Sequence, residues 1–424
     1  MVDITLLYLA LWLMLKLRFG PGAGLMWEKH FFAFSVIFFL WLIIFYIFGL
    51  YDLNLAKNAP SFYFAILKGT ILNGFISTTL FYLFPNFLGV TPKTNLFLTL
   101  LFFGILLALW RYFYNLIIKS AGFSRGIIII GKNPKTLELA EEIKTNPQLG
   151  YKVVSLIDPE GELNLNRGIY TIVAAVKLAH YPELAQKLYK YLPYCNFENF
   201  PDFYEKITGK IPLSQIDEFW FLNNLKEREK EVYEKLKRLS DILIGVAVGT
   251  ITILIFPLVA LAIKLESKGS VFYKQVRMGK NGKKFNLIKF RSMQKDAEKN
   301  GAVWAEKNDL RVTRVGKILR KSLIDELPQF INILRGEISS IGPRPERPEF
   351  IAQLEKEIPF YQNRHMVKPG LTGWAQVNFK YGNTKQDALE KLQYELYYIK
   401  NRSLFLDLKI ILKTVNTLLK GGTL

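Results

Sequence analysis

The stretch "KSLIDELPQF" at 321–330 sets two acids, Asp325 and Glu326, in front of Pro328. Adjacent carboxylates can hold a divalent cation, and one can attack phosphorus when neighbouring charges offset the repulsion. Cations crowd the run before the pair, and Arg320 stands five residues ahead of Asp325. A second group follows in "SSIGPRPERPEF" (339–350), where prolines flank Arg344 and stiffen its backbone for bidentate contact with phosphate. A plainer reading makes "SLID" a capping box, with Ser322 as N-cap and Asp325 three residues on. That leaves Glu326 without a task and puts Pro328 in the second turn, where proline is unfavourable. On this stretch alone both readings stay open.

The remaining inventory narrows the chemistry. The chain has 424 residues, one cysteine (Cys195) and three histidines, His30, His180 and His365, far apart in sequence. There is no disulfide framework, no cysteine-based metal site and no basis for a histidine cluster. Acids, arginines and lysines suit magnesium-assisted phosphoryl-type chemistry, in which neutralising charge is the main task. They suit hydride or acyl transfer badly. The formal charge of +20 calls for an anionic partner, and the long apolar runs favour lipid and phosphate over nucleic acid. Residues 264–321 hold 17 Lys and Arg against 5 Asp and Glu. Such a stretch can grip anionic headgroups at ~1 kcal/mol per charge, bind substrate phosphates, or do both. Within it, "VFYKQVRMGKNGKKFNLIKFRSM" has the pattern of a hairpin or two presenting Arg277, Lys289 and Arg291.

The elements that must position these residues are membrane-bound. Four apolar runs, at 3–17, 31–51, 62–84 and 95–118, open the chain, and three reach the ~20 residues that a bilayer span needs. "SRGIIIIGKNPKTLELAEEI" then reads as strand, turn and helix, and "YKVVSLID" as a second strand, the start of a Rossmann-like α/β unit. Its glycine fingerprint is degenerate, because Lys132, Asn133 and Pro134 follow Gly131. A charged linker helix at 223–240 leads into a fifth apolar run, 242–263, interrupted by Pro257. If the last part of the chain uses a cytoplasmic nucleotide, this run enters one leaflet, kinks near Pro257 and leaves on the same side. The expected organisation is therefore four transmembrane helices (1–120), a Rossmann-like α/β domain (121–222), the linker helix (223–240), a re-entrant membrane helix (241–265) and a mixed α/β catalytic domain (266–424).

From about 237 onward the chain resembles the bacterial sugar transferases, the monotopic polyprenyl-phosphate phosphoglycosyl transferases. The resemblance rests on "KRLSDI", "YKQVRMGKNGKKF", "KFRSM", "TRVGKILRKSLIDELPQ", "SSIGPRPE", "VKPGLTGWAQVN" and "YYIKN". Four membrane runs and an α/β domain ahead of these look like the large, hexose-1-phosphate transferring type. The resemblance implies that Asp325 attacks the β-phosphate of a UDP-sugar and expels UMP. Undecaprenyl phosphate then takes the phosphosugar. It implies that Glu326 helps Asp325 hold Mg2+, and that Arg320 and Arg344 handle phosphate, with Lys289 and Arg291 as further candidates. It also implies a homodimer in the bacterial inner membrane, with the catalytic domain on the cytoplasmic face. The sugar stays open among glucose, galactose and an acetamido sugar. Two departures stand out: Phe256 precedes the kink proline where serine is common, and "LIDELP" replaces "SLDELP".

Two rivals remain. A membrane-bound nucleotide-sugar dehydratase or epimerase needs an intact glycine fingerprint and a Tyr-x-x-x-Lys pair, and residues 150–240 offer no convincing one. A non-catalytic scaffold for polysaccharide assembly needs neither acid.

Overall fold

The computed structural model describes residues 1–51, 59–89, 93–119, 124–161, 170–225, 227–294, 297, 309–379, 382 and 384–419. Its contacts divide the chain into two units, 1–199 and 200–424.

In the first unit the four apolar runs form α1 (Val2–Phe19), α2 (Ala23–Ile47), α3 (Pro60–Leu83) and α4 (Lys93–Lys119). Each is hydrophobic on every side, the composition of a helix surrounded by lipid or by other helices. Leu7, Phe34, Trp41, Phe45 and Phe103 pack between them, while Phe39, Phe64, Phe75 and Phe97 point outward and stay exposed. The stretches Val2–Ile47, Phe62–Leu83 and Thr94–Ile117 are long and apolar enough to cross a membrane.

Four strands follow: β1 (Arg125–Ile130), β2 (Tyr151–Ile157), β3 (Tyr170–Ala174) and β4 (Cys195–Asn199). They form one parallel sheet in the order β2-β1-β3-β4. Helix α5 (Pro134–Thr145) connects β1 to β2, and α6 (Pro182–Tyr189) precedes β4. The side chain of Asn133 accepts from the backbone N–H groups of Lys135 and Thr136. A nucleotide phosphate would need those donors, and the chain satisfies them itself.

Residues 200–222, placed with the α/β domain in the sequence reading, belong to the second unit. Helix α7 (Phe200–Thr208) ends at Gly209, whose carbonyl accepts from Trp374 Nε1 at 2.9 Å. Next, the linker read as one helix over 223–240 is helical with the fifth apolar run only from Glu231. A separate short helix ends at Asn224, a 3₁₀ turn covers Glu227–Lys230, and α8 (Glu231–Glu266) then continues through Pro257. A proline removes one backbone hydrogen bond, which bends a helix without ending it when both flanks are held. Along one side Gly245 and Gly249 leave room for Leu334 and Phe330; a Cβ on Gly249 would come within 2.8 Å of the Phe330 ring. The opposite side exposes Leu239, Leu243, Val246, Leu254, Leu258 and Leu261.

The rest of this unit begins with the hairpin of β5 (Phe272–Met278) and β6 (Lys284–Phe290), then α9 (Arg314–Lys321) and α10 (Phe330–Arg335). Strand β7 (Ser339–Ile341) pairs in parallel with β8 (Gly370–Thr372). Helices α11 (Pro348–Glu357), α12 (Lys385–Asn401) and α13 (Leu404–Leu419) complete it. Its core gathers Ile341, Trp374, Leu392, Tyr398, Ile399 and Ile410.

Candidate active site

The acids stand where one helix ends, not where one begins. Ser322 closes α9, and its hydroxyl donates back to the Ile318 carbonyl at 2.8 Å. The capping-box reading is therefore overturned: Ser322 is spent on the preceding helix, and Leu323 turns the chain with φ of 55°. A left-handed leucine costs about 1–2 kcal/mol, and here it aims the 3₁₀ turn Ile324–Gln329 inward. Asp325 and Glu326 are each only 6 % exposed.

Glu326 Oε1 accepts from Lys289 Nζ and from Arg344 NH2, both at 2.7 Å. Burial opposes its negative charge, but Arg344 and Lys289 outweigh burial and hold its carboxyl well below the usual range. Glu326 in turn raises Arg344. Lys289 is lowered by burial, which Glu326 only partly offsets. Asp325 Oδ1 is buried and has no hydrogen-bond partner among the described residues. Burial pushes Asp325 above the ordinary aspartate value, and the charge of Lys289 restrains that rise without reversing it.

The predicted cations separate into two groups. Lys289, Arg344 and Arg320 all act on Asp325 electrostatically, and Arg320 is steadied by its Nε donating to Ser292 Oγ at 2.9 Å. Arg291 faces elsewhere. Its NH2 donates to the carbonyl and hydroxyl of Ser267 at 2.8 and 2.9 Å, closing the end of α8. Arg277 donates to the Pro345 carbonyl at 2.9 Å and so supports the loop that carries Arg344. Part of the basic stretch, 298–308, lies outside the described residues.

Several positioning residues escaped the sequence reading. Asp241 Oδ1 accepts from Ser339 Oγ, Ser340 N and Ser340 Oγ at 2.9, 2.8 and 2.6 Å. Glu266 accepts from the N–H groups of Arg314 and Val315 at 2.6 and 2.8 Å. One end of α8 thus braces β7, which runs on to Arg344, and the other braces α9, which runs on to Asp325. Buried Asn332 accepts from Ile288 N at 3.1 Å and donates to the Asn286 carbonyl at 2.8 Å, fixing β6 against α10. Arg364 pairs with Glu395 through two hydrogen bonds at 2.9 and 2.7 Å and also donates to the Arg344 carbonyl at 2.8 Å. Asp241 lies in "KRLSDI", a stretch already singled out; Asn332 and Arg364 carry no local signal.

At Pro257 the preceding Phe256 stacks on Phe272 (5.7 Å between centroids, 11°), which stacks on Phe290 (5.5 Å, 15°). An aromatic ladder ties the helix to the hairpin where serine is common. Trp374 of "GLTGWAQ" stacks on Tyr397 at 5.5 Å and takes a structural role. Burial holds the His365 imidazole down at about 4, so it is neutral at pH 7. Tyr233 and Lys237 do have the Tyr-x-x-x-Lys spacing, but both donate to Asp407 in the second unit.

Among the described residues no group of three or more His, Cys, Asp and Glu forms a metal cluster. The acid pair offers two carboxylates, one with an unpartnered oxygen. That donor set fits magnesium, which takes one or two carboxylates and completes its shell with water and substrate phosphates.

The family model described as bacterial sugar transferase matches residues 232–421. Over 244 residues the chain is 41 % identical to the UDP-N-acetylgalactosamine-undecaprenyl-phosphate N-acetylgalactosaminephosphotransferase of Aeromonas hydrophila, covering 56 % of this chain and 57 % of that protein. It is 33 % identical over 316 residues to the undecaprenyl-phosphate glucose phosphotransferase of Komagataeibacter xylinus, covering 69 % and 58 %. It is 43 % identical over 188 residues to the UDP-glucose:undecaprenyl-phosphate glucose-1-phosphate transferase of Caulobacter vibrioides, covering 43 % and 69 %. The match spans little more than half the length of the first two relatives.

Proposed function

This chain belongs to the bacterial sugar transferase family, and from that premise we propose that it transfers a hexose-1-phosphate from a UDP-sugar to undecaprenyl phosphate. The observation that carries the reading is the unpartnered, buried Asp325 oxygen beside Lys289, Arg320 and Arg344, whose charges act on it.

In the first step a carboxylate oxygen of Asp325 attacks the β-phosphorus of the UDP-sugar. The bond from that phosphorus to the bridging oxygen breaks, and its electron pair leaves with UMP. In the second step an oxygen of undecaprenyl phosphate attacks the same phosphorus and the Asp325 carboxylate departs. The bond between sugar and phosphate is never touched, so anomeric configuration is retained. One phosphoanhydride replaces another, so the exchange is nearly thermoneutral. Lys289, Arg344 and Arg320 offset the repulsion between a carboxylate and an anionic diphosphate. Glu326 keeps Lys289 and Arg344 converged. Magnesium, held by Asp325 and Glu326, would supply further neutralisation of the diphosphate.

The exposed apolar side of α8 supports its entry into the bilayer. Because Asp241 and Glu266 are both held by one folded unit, a re-entrant course with both ends at one face fits better than a crossing. The nucleotide donor then puts that face on the cytoplasmic side of the bacterial inner membrane. This places the reaction at the first membrane step of polysaccharide synthesis. The relatives act on glucose and N-acetylgalactosamine donors by name, so both join galactose as candidates. A homodimer follows from family resemblance.

The test is UMP release with undecaprenyl phosphate across a panel of UDP-sugars, with Asp325→Asn beside wild type. The variant should release no UMP and form no labelled phosphosugar enzyme; normal turnover by it would refute the mechanism.

A further inference from the structure

We propose that a cleft beside the first turns of α8 is a second anion site, separate from the acid pair, which takes a phosphate group between Lys368 and Arg238. The cleft has about 40 Å³ of free space and is lined by residues 234–241 of α8, by β7 and by the chain entering β8. By the ~10–15 Å³ that a single water requires, this is room for a small polar group.

The charges around it are unbalanced. Lys237 is paired with Asp407 at 2.8 Å, and Arg402 with Glu234 at 3.1 Å. Asp241 Oδ1 takes three donors from Ser339 and Ser340, and the charges of Asp241 and Glu234 reach Lys368 only from beyond ion-pair distance. Arg238 donates to the Ile333 and Leu334 carbonyls at 2.7 Å and meets no carboxylate among the described residues. Lys368 is half-buried and, among the described residues, makes neither a hydrogen bond nor a close ion pair; Asp241 and Glu234 act on it only at longer range. Both cations converge over Gly336. A Cβ at that position would lie 3.3 Å from Lys368 Nζ and 3.7 Å from the Arg238 guanidinium carbon. Gly336 has φ of 77° and no side chain, so the space between the two cations stays open.

Two cations with no carboxylate at ion-pair distance among the described residues, set over an open glycine, suit a phosphate. The apolar run of α8 begins at Ile242, one residue past the cleft's Asp241, so the cleft falls at headgroup depth if α8 lies in the membrane. The phosphate then comes from an anionic lipid or from solution. In either case it would bind apart from Asp325, Glu326 and Arg344, none of which lines the cleft.

The full-length protein in nanodiscs, without donor, distinguishes these sources. Tm is measured in phosphatidylcholine alone, with added phosphatidylglycerol, and in phosphatidylcholine with inorganic phosphate. Phosphatidylglycerol should raise Tm by a few degrees in wild type and in Lys368→Arg, and the rise should vanish in Lys368→Gln. A matching rise with inorganic phosphate that also vanishes in Lys368→Gln would assign a soluble phosphate and still support the site. Lys321→Gln, which removes an exposed cation elsewhere, should respond like wild type. No rise from either phosphate, an unchanged response in Lys368→Gln, or equal loss in Lys321→Gln would overturn the proposal. The lipid arm rests on the membrane placement of α8. No readout depends on transfer chemistry, so an inactive preparation would fail the proposed function without affecting this test.

Discussion

Asp325 and Glu326 are adjacent and equally buried, yet Glu326 takes both nearby hydrogen bonds and Asp325 takes none. Lys289 and Arg344 meet at Glu326 Oε1 at 2.7 Å each, while Asp325 Oδ1 has no partner among the described residues. An ion trio of this kind stabilises its own anion and leaves its neighbour exposed to the same field without contact. In the proposed reaction this keeps the first acid free to attack, while the second fixes the cations beside it.

The two acids should therefore have opposite effects on stability. Asp325 has a raised carboxyl. Its contribution is fully present below the unfolded aspartate value and is lost as pH rises through the folded one. At neutral pH the charge is a cost. Glu326 is lowered, so its contribution is present above the unfolded glutamate value and is lost only in strong acid. Asp325→Asn should raise Tm while abolishing UMP release. Glu326→Gln should lower stability by about 3 kcal/mol, because two cations are left facing a neutral amide. A fall in Tm for Asp325→Asn would contradict this account.

The same shift sets the pH dependence of turnover. In the proposed reaction Asp325 must be ionised to attack, and burial raises its carboxyl. The acid limb of kcat/KM should therefore lie above the ordinary aspartate range. Lys289 is the strongest favourable charge on Asp325, so Lys289→Gln should move the residual activity's acid limb to still higher pH. A limb that stayed in place or moved down would show that another group controls it.

The cations should divide as the geometry does. Arg344→Lys removes a planar donor from the reaction centre and should raise KM for the UDP-sugar about 10- to 100-fold, at ~1.5–3 kcal/mol per charged hydrogen bond. Arg291→Lys loosens the end of α8 instead and should lower Tm with KM unchanged. Steady-state kinetics and thermal melts of both variants decide between these roles. A raised KM in Arg291→Lys would return it to the substrate site.

What was legible in the sequence follows from the range of each signal. The four apolar helices were readable because hydrophobicity on all sides is local; the ends of three agree with the runs to within two residues, while the second begins at Ala23, eight residues ahead of the run read at 31–51. The acid pair was readable because its neighbours in sequence are cations. Ser322 was misread because a Ser-x-x-Asp spacing does not say whether a helix starts there or has just ended; the left-handed Leu323 decides that. Arg291 was grouped with Lys289 because alternate residues share a strand face, but β6 stops at Phe290 and Arg291 turns back to Ser267. The convergence of Lys289 and Arg344 on Glu326 joins residues 37 and 18 positions away, which no local pattern encodes. Residues 200–222 look like a continuation of the α/β domain until Trp374 and Gln393 are seen to bind them.

Asn332 is the cheapest test of positioning at a distance. It contacts neither acid, yet it holds the strand that carries Lys289. Asn332→Ala should cost about 1–3 kcal/mol through unsatisfied buried backbone groups and lower kcat more than it raises KM. A variant with full kcat would show that β6 is held by the hairpin alone.

The course of α8 yields the sharpest topological prediction. A helix of this length reaches about 54 Å at 1.5 Å per residue, more than enough to cross a bilayer. Yet Asp241, just ahead of the apolar run, and Glu266, just after it, both bind the same folded unit, at Ser340 and at Arg314 and Val315. A straight crossing would have to draw Asp241, Glu266 and their polar partners through the hydrocarbon, where each unpaired group is costly. Single cysteines at Lys235 and Lys264, both exposed, should therefore react with a membrane-impermeant thiol reagent from the same side of sealed vesicles. Cys195 is buried and is replaced by serine beforehand to remove background. Labelling of the two positions from opposite sides would establish a crossing helix and overturn the re-entrant course.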